Sequence, residues 1–310
     1  MKKLVESVYL REDLKNELKM NVVFITPTHN CNYDCHYCSD SKNKINKNAF
    51  LDLSGLKVFL ENYKRFSEKD TMMTLLGGEP MLNKDIKDYI IEFNKHENIK
   101  IIKIVSNGAF DAQKYVDLHK IVGDKLELNI SFHPSGFKKI DHYIELTRVL
   151  TENNINFQIR YMIDNLIDLD FQIKEFKTFK EYCPIVKIDS LFGVIYKQEY
   201  IDFLKINAEQ ENNKLKLTYD DGSSEEITVA EMKLMKNPYK GMYCGSLFTK
   251  FVLTVDLKFM VFCKEDSKIN ALNYSEFRKL KKQLYENTCK LDRCVCYMFF
   301  KKSINKLTEL

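Results

Sequence analysis

The chain has 310 residues, of which 45% are hydrophobic and 30% charged, and its formal net charge is +4. These values are ordinary for a soluble globular protein with one large core or two unequal domains, and because the charge is mild and mixed in sign we expect no nucleic-acid partner. Because the chain has no long apolar run and its N-terminal segment lacks a signal-peptide core, we expect a cytoplasmic protein with no membrane partner.

Short β-rich runs alternate with amphipathic stretches from Asn21 to about Gly193. The stretches carry apolar residues three or four positions apart, as in helices packed on a sheet, with Ser54 and Asn83 as expected N-caps. Such alternation predicts an α/β fold with a parallel sheet, either an open partial barrel or a doubly wound sheet. The six predicted strands begin near Val22, Thr71, Ile101, Lys125, Asn156 and Ile185.

The pattern changes after Gly193. Two hairpins are predicted, one from Leu215 to Val229 around an Asp-Gly turn and one from Phe251 to Cys263. We therefore expect a smaller α+β appendage after the α/β region. The predicted divisions are an N-terminal extension over 1–20, the α/β domain over 21–193, a connecting segment over 194–243 and a C-terminal domain over 244–310.

Cysteine usage points to metal ligation. The chain has nine cysteines, and an odd, high count in a reducing compartment disfavours structural disulfides. Cys183 stands alone and is expected to be a small buried residue. The others form an early group and a late group: Cys31, Cys35 and Cys38, then Cys244, Cys263, Cys289, Cys294 and Cys296.

The early group directly follows the first strand of the predicted sheet. Its three thiolates could hold three irons of a [4Fe–4S] cluster and leave the fourth iron open, whereas four cysteines would saturate the cluster. A structural zinc is the alternative, with His29 or His36 as fourth ligand. A thioredoxin-like redox pair would leave Cys31 unexplained.

The spacing Cys31-x3-Cys35-x-Tyr37-Cys38 resembles the signature of the radical S-adenosylmethionine (radical SAM) superfamily, including the aromatic residue before the last cysteine. Two further segments resemble motifs of that family. Gly77-Gly78-Glu79-Pro80 resembles the GGEP motif, whose backbone and Glu hold the methionyl amino group of SAM. Ser106-Asn107-Gly108 resembles the "TNG" segment, in which Asn107 serves either the ligand or the turn.

The resemblance implies a partial (β/α)6 barrel with a [4Fe–4S] cluster and SAM as cofactors. By strand position it also implies SAM contacts from Ser131 and Arg160, since an Arg pairs bidentately with a carboxylate. A structural salt bridge is the alternative for Arg160. His133, at the end of a predicted strand, either lines the substrate pocket or caps a loop.

The late cysteines resemble the "twitch" or SPASM-type domains that carry auxiliary clusters. Five cysteines cannot hold two complete clusters, and Asp256-Leu257-Lys258 occupies the turn between the first two cysteines, where that motif usually has a Gly. We therefore expect a small C-terminal α+β domain with one auxiliary [4Fe–4S] cluster on Cys244, Cys263, Cys294 and Cys296, with Cys289 as a competing ligand. A structural zinc remains the alternative there.

The activity implied by the resemblance is reductive cleavage of SAM to a 5′-deoxyadenosyl radical, which abstracts a hydrogen atom from the substrate. We expect an oxidoreductase-type enzyme that modifies a peptide and receives electrons from a donor such as flavodoxin or ferredoxin. A dehydrogenase acting on a sugar or aminoglycoside is the close alternative. The alternative of another class is a non-catalytic iron–sulfur carrier or zinc-binding module.

Overall fold

The computed structural model describes residues 3–9, 20–38, 49–137, 139–191, 194–207, 214–228, 239, 241–244, 249–261, 267–286, 288 and 302–303. The strands are β1 (Leu4–Tyr9), β2 (Asn21–Ile25), β3 (Thr71–Leu75), β4 (Ile99–Ser106), β5 (Leu126–Phe132), β6 (Asn156–Ile163), β7 (Lys187–Ser190), β8 (Lys214–Tyr219), β9 (Ser224–Thr228), β10 (Tyr243–Cys244), β11 (Lys250–Leu253), β12 (Lys258–Val261), β13 (Ile269–Asn270) and β14 (Lys302–Ser303). The helices are α1 (Leu53–Phe66), α2 (Ile86–Asn94), α3 (Ala112–Val122), α4 (Ile140–Glu152), α5 (Leu169–Tyr182), α6 (Gln198–Asn207) and α7 (Tyr274–Glu286).

The main sheet confirms the prediction of a mixed α/β fold with a parallel sheet. Within the described residues its strand order is β13-β12-β11-β2-β3-β4-β5-β6-β7, and β2 to β7 run parallel to their neighbours. Helices α1 to α5 connect these six strands in sequence. Because such crossovers are right-handed, strands in sequential order place all connecting helices on one face, as in a partial barrel.

The two faces of this sheet differ in polarity. On β5, Leu126, Leu128, Ile130 and Phe132 are buried in the core shared with the helices. The alternate residues, among them Asn129, face the opposite, concave side, since successive side chains of a strand point to opposite faces. The concave face is therefore the side on which the connecting helices do not cover the sheet.

The hairpin predicted from Phe251 to Cys263 forms between β11 and β12, but it does not stand apart from the α/β domain. Strand β11 pairs in parallel with β2, Phe251 beside Val23 and Leu253 beside Ile25. Helix α7 follows and packs its Phe277 against Phe259 in the same core. The alternating pattern indicates a strand but not its neighbour, so the sequence did not predict this pairing.

A second sheet gathers segments that the sequence had assigned to three different regions. Its order is β10-β14-β1-β8-β9, so β1 of the supposed N-terminal extension lies between the predicted hairpin β8–β9 and the C-terminal strand β14. The hydroxyls of Ser7 and Tyr239 meet inside it at 3.1 Å. The expected division at residues 20, 193 and 243 therefore does not describe this sheet.

The helix starts differ slightly from the predicted ones. Asp52, rather than Ser54, caps α1, because its carboxylate accepts the N–H of Gly55. Asn83 ends a short 3-10 helix over Pro80–Leu82. Its side chain accepts the N–H of Asp85, the residue directly before α2. Among the described residues, no helix has the length and apolarity needed to cross a membrane.

Candidate active site

The three early cysteines lie in the loop that leaves the carboxyl end of β2. None of the three forms a disulfide, and each has part of its surface exposed. Burial raises the pKa of the Cys31 thiol, and the neighbouring Glu79, Cys35 and Cys38 add to this by charge repulsion. Burial likewise raises the pKa of Cys35. Three thiols held this close have their negative charge disfavoured unless a cation neutralises it.

Gly77 and Gly78 bring the loop after β3 into contact with the cysteine loop. The N–H of Gly78 donates to the Thr28 carbonyl at 3.0 Å, and the N–H of Glu79 donates to the Asn30 carbonyl at 2.7 Å. A Cβ atom on Gly78 would lie only 2.1 Å from the Asn30 carbonyl oxygen. The glycine is thus required for the approach of two backbones, whereas the sequence had assigned it to the approach of a ligand.

Glu79 is completely buried, and both of its carboxylate oxygens accept hydrogen bonds. It accepts hydrogen bonds from the N–H groups of Met81 (3.0 Å) and Asn107 (2.7 Å) and from the Ser106 hydroxyl (2.9 Å). Burial raises its pKa to about 7, against the lowering effect of these donors. Glu79 thus joins the loops after β3 and β4, and the expected contact of its carboxylate with the ammonium group of SAM stays a prediction.

Ser106 belongs to the same internal hydrogen-bond network, and its contact with SAM stays a prediction. Its hydroxyl meets Glu79, the Tyr115 hydroxyl at 2.8 Å and the N–H of Gly108 at 3.1 Å, and the residue is 3% exposed. Pro80 is also buried, at the start of the short 3-10 helix. Both residues hold the loops in place from inside the protein.

Tyr37 reaches the loop after β5. Its hydroxyl shares a short hydrogen bond with His133 Nδ1. Burial lowers the pKa of His133 to about 4 and raises that of Tyr37, so the pair is a neutral imidazole and a neutral phenol at pH 7. His133 therefore supports Tyr37, the residue directly before the last cysteine of the loop, and its role in the substrate pocket or as a loop cap stays a prediction.

Asp164, which sequence reasoning missed, holds His36. Its Oδ1 lies 2.9 Å from His36 Nε2, and its backbone is fixed by two bonds to the buried Gln172 side chain. An acidic residue directly after β6 was the available signal, because functional groups gather at the carboxyl ends of parallel strands. Among the described residues, no three His, Cys, Asp or Glu side chains converge on a point suited to a single metal ion.

Ser131 and Arg160 lie beside each other on the concave face. They are register partners of β5 and β6. The Arg160 guanidinium donates to Asp189 Oδ2 at 2.9 Å and to Gln158 Oε1 at 3.2 Å, and the side chain is 22% exposed. The structure thus shows the salt bridge that was the alternative for Arg160. A contact of either residue with SAM stays a prediction.

The late cysteines are scarcely covered by the structure. The backbone of Cys244 lies in β10 of the second sheet. Cys263, Cys289, Cys294 and Cys296 lie outside the described residues. Cys183 is completely buried in the core, where the Thr147 hydroxyl donates to its sulfur at 3.6 Å, as expected for a plain core residue.

The donor set of the cysteine loop fits an iron–sulfur cluster. Its thiols form no disulfide and are partly exposed, and thiolates are the usual ligands of such clusters. The N–H of Tyr33 also points at Cys31 Sγ, at 3.4 Å. His36, one of the two possible fourth zinc ligands, is held by Asp164 through its Nε2.

Together, the fold and the site define an α/β protein with a three-cysteine loop at the carboxyl end of β2. This strand is the first in the chain of the six consecutive parallel strands β2 to β7. Residues 25–163 match the family model of the radical SAM superfamily. The matched region runs from the end of β2 to the end of β6 and includes the three cysteines. The radical SAM superfamily is therefore supported for this chain.

The curated relatives are distant and are matched in part. A probable GTP 3′,8-cyclase of Methanocaldococcus jannaschii is 25% identical over 162 residues, which make up 51% of this chain and 53% of that protein. The GTP 3′,8-cyclase of Aquifex aeolicus is 22% identical over 256 residues, 69% of this chain and 75% of that protein. The chain thus spans about half the length of the first of these relatives.

Solved structures share the fold. Native anSMEcpe with bound AdoMet superposes with a TM-score of 0.56 at 11% identity, covering 90% of this chain and 87% of that one. Streptococcus suis SuiB bound to the precursor peptide SuiA gives a TM-score of 0.53 at 15% identity, covering 84% of this chain and 65% of that one. At such identities the likeness concerns the fold alone.

Proposed function

We propose that this chain is a radical SAM enzyme in which Cys31, Cys35 and Cys38 hold a [4Fe–4S] cluster with one iron left open for SAM. When bound, the cluster and SAM supply a 5′-deoxyadenosyl radical that takes a hydrogen atom from the substrate. The observation that carries the proposal is the cysteine loop itself. Its three thiols follow the carboxyl end of β2, and hydrogen bonds fix the loop to those after β3 and β4.

The remaining SAM contacts are assigned to groups that border the cysteine loop or face the concave side of the sheet. The backbones of Gly77 and Gly78 border the cysteine loop. Ser131 and Arg160 present a hydroxyl and a guanidinium on the concave face. A guanidinium suits the methionyl carboxylate, and the five donors of an Arg allow it to keep Asp189 as a second partner.

We assign the substrate to the concave face and retain a peptide as the first candidate. SuiB, which shares the fold, was solved with a precursor peptide. Peptide groups are polar, and the concave sides of β4 to β7 carry polar partners, including a Lys103–Glu127 pair at 3.0 Å and the Arg160–Asp189 pair at 2.9 Å.

A small polar metabolite is the second candidate, because two polar atoms of the concave face are buried without a partner: Thr74 Oγ1 and Asn129 Oδ1. Buried polar atoms normally have hydrogen-bond partners, and a hydroxyl-rich ligand would supply them. The sequence relatives are named GTP 3′,8-cyclases. GTP is therefore the small-molecule probe, and a peptide encoded beside this gene is the peptide probe. The probe that raises 5′-deoxyadenosine formation identifies the substrate class, peptide or small metabolite.

The auxiliary cluster is also a proposal, with Cys244, Cys263, Cys294 and Cys296 as ligands and Cys289 as the competitor. Such a cluster would accept an electron from the substrate radical and make the net reaction an oxidation. Flavodoxin or ferredoxin is the proposed donor to the first cluster. Two [4Fe–4S] clusters give about eight irons per chain and one cluster gives about four. Iron analysis of anaerobically purified protein therefore tests the auxiliary cluster separately.

The decisive experiment for the function is anaerobic incubation of the reconstituted protein with dithionite and SAM. We expect 5′-deoxyadenosine from the wild type and none from Cys35→Ala. Cys183→Ala is the matched control, because this thiol lies in the core, and we expect it to retain the activity. Failure of the wild type to form 5′-deoxyadenosine, with and without both probes, would favour an iron–sulfur carrier or a zinc-binding module.

A further inference from the structure

Asn107, the first residue after β4, has a partner for every one of its backbone hydrogen-bonding groups. Its N–H donates to Glu79 Oε2 at 2.7 Å, and its carbonyl accepts from the Tyr143 hydroxyl at 2.6 Å. Both partners are buried. The backbone of Asn107 is therefore fixed from two sides, by the loop after β3 and by helix α4.

The orientation of the Asn107 side chain is fixed as well. Its Oδ1 accepts the N–H of Ala109 at 3.0 Å. If the amide nitrogen occupied that position, it would face the N–H of Ala109 and two donors would meet. Nδ2 therefore lies on the side of the amide that points away from Ala109. There it donates to Asn32 Oδ1 at 2.7 Å and lies 3.9 Å from Cys31 Sγ, within reach of a hydrogen bond to sulfur.

These contacts hold three consecutive residues of the cysteine loop. The Asn107 amide engages Cys31 and Asn32, and the Tyr143 hydroxyl that binds the Asn107 carbonyl also meets the Tyr33 hydroxyl at 3.2 Å. A residue that served only its own turn would need the bond to Ala109 and nothing more. The further contacts all lead to the loop that carries the cysteines.

We propose that Asn107 is a positioning residue that sets the reduction potential of the cluster through its hydrogen bond to the Cys31 sulfur. The inference rests on the proposed cluster site and goes beyond it. A cluster becomes more negative when it takes up an electron, and an N–H donor to a cysteine sulfur stabilises that state. Such outer contacts also orient the ligand. Asn107 thus acts on SAM cleavage through Cys31 and not through contact with SAM.

The test is Asn107→Ser. The serine hydroxyl can still accept the N–H of Ala109, as serine does in such turns, but it is too short to reach Cys31. Asn83→Ser is the matched control. Its Oδ1 also accepts the N–H of the residue two positions ahead, Asp85, at 2.9 Å. Its Nδ2 donates to the carbonyl of Pro27, shortly before the cysteine loop, and to the Tyr89 hydroxyl, so its partners include no sulfur.

The measurement is the oxidised-to-reduced ratio of the cluster at a fixed solution potential, followed by electron paramagnetic resonance. For Asn107→Ser we expect at least a tenfold higher ratio than for the wild type, which is about 59 mV for a one-electron couple. Asn83→Ser should stay within twofold of the wild type. Equal ratios for wild type and Asn107→Ser at equal iron content, or equal shifts in both variants, would overturn the proposal.

A measurement on the unaltered protein covers the case in which Asn107→Ser takes up no iron. The protein is expressed in cells supplied with asparagine that carries ¹⁵N only in its side-chain amide. We expect a weak coupling between this ¹⁵N and the reduced cluster in electron spin echo spectra. Absence of that coupling would overturn the role of Asn107 and leave the cluster assignment intact. A wild-type protein that assembles no cluster would instead overturn the proposed function.

Discussion

At the scale of single residues, Glu79 shows what a motif does and does not predict. The GGEP segment was found from the sequence, but the role of its carboxylate was not. The partners that occupy Glu79 are Ser106 and Asn107, 27 and 28 residues further along the chain. A motif gives residue types and spacing, whereas the hydrogen-bond partners of a buried carboxylate depend on how separate strands align.

The buried Glu79 should make stability depend on pH. Its folded-state pKa is raised from 4.5 to about 7 by burial, so between these values the folded protein binds more protons than the unfolded chain. The free energy of unfolding should therefore fall as the pH rises through this window, by about 3 kcal/mol at most. Denaturant unfolding of the metal-free, reduced protein at pH 5 and pH 7.5 measures the change.

Glu79→Gln is expected to remove most of that pH dependence, because glutamine does not titrate. Glu181→Gln, at an exposed position of helix α5, serves as the control and should keep the wild-type slope. A Glu79→Gln variant whose stability falls with pH as steeply as the wild type would show that the dependence arises elsewhere.

Gly78 makes a second prediction at this scale. A Cβ there would meet the Asn30 carbonyl oxygen at 2.1 Å, so Gly78→Ala must push the cysteine loop away from the loop after β3. We expect a marked loss of iron per chain after anaerobic reconstitution. Gly222→Ala is the control, since Gly222 has φ +80° but open space around it, and its backbone strain of about 1–2 kcal/mol lies far from the cysteines. Equal iron content in the two variants would contradict the close-approach role.

At the scale of elements, the repeating units were predictable and the pairing of distant segments was not. Apolar periodicity indicated the six parallel strands and the helices between them, although α1 begins at Leu53 and not after the predicted cap Ser54. The hairpin β11–β12 was also indicated by alternation. Its partner β2 lies more than 200 residues earlier in the chain, and local pattern carries no information about such a neighbour. The strand β1 was missed for the same reason.

The joining of β11–β12 to the main sheet predicts a shared core. Phe259 is completely buried and its ring stacks on Phe251 and Phe277, at 5.3 and 5.0 Å between centroids. Phe259→Ala should therefore lower the free energy of unfolding by about 3–5 kcal/mol. Thermal unfolding should show a single shifted transition, because α1 contributes Phe59 to the same cluster.

Phe171→Ala is the matched control for that substitution. Phe171 is 55% exposed on α5, and its removal should change the free energy of unfolding by no more than about 0.5 kcal/mol. A Phe259→Ala protein that unfolds in two separate transitions, with the α/β part unaltered, would show that the hairpin belongs to an independent domain.

At the scale of the whole molecule, the parallel sheet brings separate loops to one edge. The loops after β2, β3 and β4 meet through backbone bonds and through Glu79 and Asn107, while β5 and β6 contribute His133 and Asp164 from their carboxyl ends. This convergence follows from parallel strand direction and was predictable. The specific contacts on the cysteine loop were not, since they join residues up to 128 positions apart.

The central claim concerns one iron of the [4Fe–4S] cluster that no side chain of the protein coordinates. It is tested most directly by electron–nuclear double resonance on the reduced, anaerobic protein with SAM that carries ¹⁵N in its amino group and ¹⁷O in its carboxylate. We expect hyperfine coupling of both labels to the cluster, as direct contact with iron requires. A cluster that couples to neither label, or Zn²⁺ bound by the three cysteines, would contradict it.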